Sequence, residues 1–165
     1  MSTRVLVAGI GNIFLGDDAF GVEVARKLLA RSWPDDVLIK DFGIRGLDLA
    51  YAMMEPWDLV ILVDAISRGQ APGTLYVVEP ELDDGAPHST PDGHAMTPEK
   101  VLELVKSLGG QIPRTLVLGC EPAQFGGEEG CIGLSEIVEA SLEEAAKEVE
   151  RLMTEGLSIK TQAAA

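Results

Sequence analysis

Four carboxylates and one imidazole carry the chemistry this sequence can offer. Asp17 and Asp18 stand side by side in GIGNIFLGDDAFG, residues 9–21. Asp41 ends a short apolar stretch, Asp64 ends the run DLVILVD, and His94 lies in DGHAMTPE. Taken singly, each aspartate reads as a turn or helix-capping residue. Clustered like charges repel, however, unless a cation or a shared proton relieves them. His94 precedes a helix start that should lie at the same rim as Asp18 and Asp64. Two carboxylates and an imidazole form a mixed oxygen and nitrogen donor set, suited to nickel, zinc or manganese rather than calcium. The other histidine, His88, reads as a surface loop residue.

The glycine-rich stretch invites a second reading, as a cradle for phosphate. Gly9 and Gly11 fit the first half of a dinucleotide fingerprint, but Phe14 stands where the third glycine belongs. The Asp17–Asp18 pair would oppose a pyrophosphate at the helix start. No Gly-Lys-Ser/Thr occurs, which excludes a Walker loop, and no G-x-S-x-G marks a serine nucleophile. The chain therefore offers a cation site more readily than a nucleotide site.

The elements that must position these groups alternate. Arg4–Gly9, Val37–Lys40, Asp58–Val63, Gly73–Val78 and Thr115–Gly119 read as strands, and Ala19–Ser32, Leu47–Met54 and Pro98–Leu108 as helices. A last helix begins after Ser135, with apolar positions at Val138, Leu142, Ala145, Val149 and Leu152. Such an order predicts a single α/β domain, an open, twisted, mostly parallel sheet with helices on both faces. Ligands in these sheets bind outside the carboxyl ends of the strands. Asp18, Asp41 and Asp64 all follow strand ends. The domain is expected to span residues 1–156, with 157–165 as a frayed tail.

Composition narrows the partners. The formal net charge is −14, from 27 acidic and 13 basic residues in a chain of 165. Nucleic acid and anionic membrane surfaces would be repelled. No apolar run approaches the roughly 18 residues of a membrane span, and no signal peptide is legible. Cys120 and Cys131 form neither a CxxC nor a disulfide framework. A cytoplasmic location is expected, and a monomer suffices, oligomeric state being left open.

Five ordered blocks carry a family resemblance: GIGNIFLGDDAFGVEVARKL, DFGIRGLDLA, DLVILVDAISRGQAPGTLYVVEP, GHAMTPEKVLEL and LVLGCEP followed by GLSEIVEAS. From about Val5 to about Leu152 they resemble the motifs of the NiFe-hydrogenase maturation endopeptidases. The resemblance implies a phosphorylase/hydrolase-like fold and removal of a C-terminal extension from a hydrogenase large-subunit precursor after nickel insertion. It places the family's metal-contacting and catalytic triad on Asp18, Asp64 and His94, and its substrate-specificity turn on Gly43 and Gly46. Asp18 is one methylene shorter than the glutamate some members carry. Nickel would arrive with the precursor, as a mark of readiness, rather than reside in the enzyme. Water held by the metal or by Asp18 or Asp64 would attack the scissile carbonyl. The loops 79–93 and 121–133 are where client specificity is expected. Two other functions remain open on the residues: a non-catalytic nickel chaperone, and a nucleotide-dependent α/β enzyme.

Overall fold

The structure is a computed structural model that describes residues 3–80, 96–125 and 129–164, with side chains described as far as residue 155. Five strands form one open sheet in the order β2-β1-β3-β5-β4. They are β1 (Val5–Ile10), β2 (Val37–Gly43), β3 (Leu59–Ala65), β4 (Leu75–Val78) and β5 (Thr115–Cys120). β1 pairs parallel with β2 and β3, β3 pairs parallel with β5, and β4 alone runs antiparallel at the β5 edge. The mostly parallel sheet read from the sequence is thus the one observed.

Every residue of β1 and β5 is buried, as is β3 up to Asp64. Period-two alternation then divides the interior. Val5, Val7, Leu59, Ile61 and Val63 meet α1 (Phe20–Leu29) and α5 (Leu142–Ala164) on one face. Leu6, Ala8, Ile10, Val60 and Leu62 meet α2 (Gly46–Met53) and α3 (Pro98–Ser107) on the other. Burial on both faces is why these strands read as continuous apolar runs. Among the described residues no helix is long and apolar enough to cross a membrane.

The chain leaves β1 towards β2 on one side and returns to β3 on the other, so β1 and β3 flank the point where strand order reverses. In sheets of this kind ligands bind there, outside the carboxyl ends of the strands. The loop after β1 and the last residues of β3 both arrive at that point.

Two helix boundaries differ from expectation. Thr97 caps α3 as read, its Oγ1 accepting the Lys100 N–H at 3.3 Å with Pro98 at the first helical position. Ser135, read as the cap of the last helix, makes no such bond, because its hydroxyl is engaged by Asp17. The last helix is also two: a single turn, α4 (Glu136–Glu139), precedes α5. At the break the Ser141 hydroxyl donates to the Val138 carbonyl at 2.6 Å, a side chain competing with the helix ladder. Helix α5 continues to Ala164, through the stretch read as a frayed tail. Past Gly156 that stretch holds no breaker and ends in alanines, the best helix formers.

Candidate functional site

The loop between β1 and α1 folds back on itself so tightly that only glycine fits at its pivots. A Cβ at Gly11 would lie 2.0 Å from the Asp18 carbonyl oxygen. One at Gly21 would lie 2.0 Å from the Val63 carbonyl and 2.3 Å from that of Ile10. Gly21 therefore supplies the close helix–strand approach that the missing third glycine of a dinucleotide loop would have given. Phe14, which stands in that glycine's place, is 59% exposed and blocks nothing.

With the loop closed in this way, the Asn12 N–H donates to Asp18 Oδ2 at 2.9 Å. An amide that a phosphate would need is thus already taken by an aspartate of the same loop. Gly11 N–H donates to the Gly43 carbonyl at 3.0 Å and ties this loop to the turn after β2.

Asp64 is the penultimate residue of β3 and only 4% exposed. In the strand's alternation it falls with Val60 and Leu62, on the α2/α3 side. Its Oδ1 accepts the Ala65 N–H at 2.8 Å. Burial pushes its proton affinity well above the usual carboxylate range, and the negative charges of Asp18 and then Glu99 push it further, against the Ala65 hydrogen bond. Asp18 is raised by burial as well, with the Asn12 N–H opposing. Among the described residues no Lys or Arg acts on either carboxyl group. An isolated buried carboxylate costs more than a marginally stable fold can spare, so such a pair takes up a proton or a cation.

Of the four aspartates read as converging, two meet here. Asp17, read as a turn or helix-start residue, faces away from Asp18 and is fully buried. Its carboxylate accepts the N–H groups of Ala123, Gln124 and Ser135 at 2.7–3.0 Å and the Ser135 hydroxyl at 2.8 Å. Burial alone would raise its pKa, but these four donors outweigh it and hold the group below its ordinary value. Asp17 is a clasp between the glycine loop and the segment after β5. Asp41 stands opposite Gly9 on β2, and its charge is not among those acting on Asp64.

Gly43 and Gly46 bracket the turn into α2. Gly43 takes a positive φ of 56°, which favours glycine. A Cβ at Gly46 would come within 2.2 Å of Met96 Cε, so Gly46 gives that side chain its seat. His94 and His88 lie outside the described residues, two and eight positions before Met96. Among the described residues no group of three or more His, Cys, Asp or Glu side chains is placed to hold a metal. Asp18 and Asp64 fit a cation as oxygen donors; a third donor has to come from elsewhere.

Two acidic residues escaped the sequence reading. Glu99 sits in the first turn of α3, a helix whose start was expected at this rim, so its position was available as a signal. Glu121 follows β5, buried at 4% exposure and bonded to the loop after β3. Nothing in its immediate sequence announces that partner.

Comparisons with known proteins agree on the fold and the family. The family model described as hydrogenase maturation protease matches residues 22–152, a span that includes Asp64 and begins just after Asp18. The chain is 35% identical over 152 residues to the hydrogenase expression/formation protein HupM of Azotobacter chroococcum, covering 87% of this chain and 68% of that one. It is 34% identical over 148 residues to the hydrogenase 2 maturation protease of Escherichia coli, covering 88% of each. Its fold is similar to the solved structure of the E. coli hydrogenase maturating endopeptidase HybD, with a TM-score of 0.76, 32% identity and 93% and 94% coverage.

Proposed function

Because the chain belongs to the hydrogenase maturation protease family, we propose that it is the endopeptidase that trims the C-terminal extension from a NiFe-hydrogenase large-subunit precursor once nickel is in place. The observation that carries this reading is the Asp18–Asp64 pair: two carboxyl groups with raised proton affinity and, among the described residues, no cationic neighbour, at the sheet's switch point. Such a pair is incomplete without a positive charge, and a nickel ion buried in the incoming substrate supplies one.

In this reading Asp18 and Asp64, joined by His94, hold the substrate's nickel and set the scissile peptide beside the pair. Nickel comes and leaves with the precursor and is no resident cofactor; it polarises the peptide carbonyl or acidifies a water. A water held by the metal or by Asp18 or Asp64 then attacks the scissile carbonyl. Gly43 and Gly46 shape the substrate-facing turn. The segment after β5 adds exposed apolar surface at Phe125 and Ile132 for client contact. Loop 79–93, the other expected specificity segment, falls largely outside the described residues. A cytoplasmic enzyme acting on an unfolded C-terminal peptide completes the reading.

A nucleotide-dependent enzyme is disfavoured by the Asn12–Asp18 hydrogen bond, which occupies the loop amide. A non-catalytic nickel chaperone would use the same carboxylates but cleave nothing. Replacing His94 by Ala and following precursor size on a gel tests the proposal. Loss of processing is expected, and unchanged processing would refute the assignment of His94.

A further inference from the structure

Besides Asp17, one more buried acidic group near the site gathers several donors, Glu121. It follows β5 directly, and its carboxylate reaches across to the segment leaving β3. Oε2 accepts the Arg68 N–H at 2.7 Å and the Tyr76 hydroxyl, and Oε1 accepts the Gly69 N–H at 3.0 Å. The Gln70 N–H beside them helps to hold the carboxyl group below its ordinary proton affinity. Two consecutive backbone N–H groups thus close on one carboxylate, one on each oxygen, an anion nest filled from within the protein. Gly69, with φ of 75°, supplies the left-handed residue that such a concavity uses.

The same segment begins at Asp64. Asp64 pairs with Gly119 and Ala65 with Cys120 across the β3–β5 ladder, and Ile66 N–H donates to the Cys120 carbonyl at 2.9 Å. Beyond Ile66 the ladder stops, and Glu121 takes over at Arg68 and Gly69. The main chain of Glu121 joins in, its N–H donating to Thr74 and its carbonyl accepting from Gly73, both at 2.8 Å. The Asp64 carboxylate in turn takes its aim from the Ala65 N–H. Whatever tilts the 64–66 backbone tilts that carboxylate.

We propose that Glu121 is a positioning residue for Asp64: by holding the N–H groups of Arg68 and Gly69 it fixes the backbone that leaves β3 and so the aim of the Asp64 carboxylate. The inference rests on the proposed endopeptidase function. Glutamine is the informative replacement, since it keeps the shape but turns an NH2 group towards backbone donors that need acceptors.

The test measures kcat and KM of full-length wild type and Glu121→Gln on purified nickel-loaded large-subunit precursor, well below the Tm of each. Asp64 both grips the substrate's nickel and aligns the scissile peptide in the proposed function, so misaiming it should lower kcat roughly 10- to 100-fold, by more than KM rises. A lower Tm with unchanged kcat, or a change confined to KM, would overturn the proposal and leave Glu121 a structural residue. Should Glu121→Gln fail to fold, Tyr76→Phe decides. It removes one of the carboxylate's three donors, and kcat should fall about two- to fivefold, by more than KM rises; wild-type kcat would overturn the proposal. Wild type that fails to cleave the precursor refutes the endopeptidase reading itself, a result distinct from any of these.

Discussion

Asp18 and Asp64 are two carboxyl groups whose charges conflict, the negative charge of Asp18 raising the proton affinity of Asp64. Asp18 is the largest electrostatic cause of the raised proton affinity of Asp64, after burial itself. The fold holds the two together with no Lys or Arg among the described residues acting on either. Stability is given up at this rim, and the loss should be measurable.

Replacing Asp64 by Asn should recover it. A carboxyl group whose folded pKa is raised stabilises the fold when protonated, and that contribution is lost as pH rises through the folded value. At neutral pH and above, the metal-free Asp64→Asn variant should therefore melt higher than wild type, by about 2–4 °C for each kcal/mol of relieved repulsion. The two curves should converge as pH falls towards about 4, the unfolded value. The carboxamide oxygen of the variant can still accept the Ala65 N–H, so the gain is not offset there. Thermal melts from pH 4 to 8 check this, and precursor cleavage should be lost in the same variant.

Asp17→Asn should act in the opposite direction. Its three backbone donors and one hydroxyl need an acceptor, and an amide turns donors towards some of them. A loss of about 2–4 kcal/mol follows, roughly 5–15 °C in Tm. The folded pKa of Asp17 is lowered, so its stabilisation is present above the unfolded value and disappears as pH falls through the folded one. The gap between variant and wild type should accordingly narrow in acid. Calorimetry at pH 7 and pH 3 measures it.

Gly46→Ala should couple to Met96. The added Cβ meets Met96 Cε at 2.2 Å, the far end of a flexible side chain, so the fold survives while Met96 moves. Cleavage by Gly46→Ala should drop several-fold, and Gly46→Ala/Met96→Ala should recover part of the loss. The double-mutant cycle isolates that contact. Strict additivity would mean that Gly46 acts on the substrate directly.

The strands and the site were legible to different degrees. β1, β3 and β5 declared themselves because burial on both faces leaves an uninterrupted apolar run, and the rim rule then drew attention to Asp18 and Asp64. Asp17 could not be separated from Asp18 in this way. Adjacent residues of a tight turn diverge, and the partners of Asp17 lie more than a hundred residues away, at 123–135. The same kind of separation hid Glu121, whose donors belong to the loop after β3. Ser135 stands at the N-cap as read but gives the helix no side-chain bond, its hydroxyl turning instead to the buried Asp17 charge. Local propensity loses to a charge-assisted bond. Position 14 misled in the opposite sense, since the glycine expected there has its counterpart at Gly21.

Substrate-borne nickel, in the proposed function, supplies the charge that the Asp18–Asp64 pair lacks. The most direct test incubates the protein with nickel-loaded and with nickel-free large-subunit precursor, in parallel, and identifies the products by mass spectrometry. A single C-terminal cut is predicted in the nickel-loaded precursor, with the nickel-free one left intact. Equal cleavage of both would contradict it.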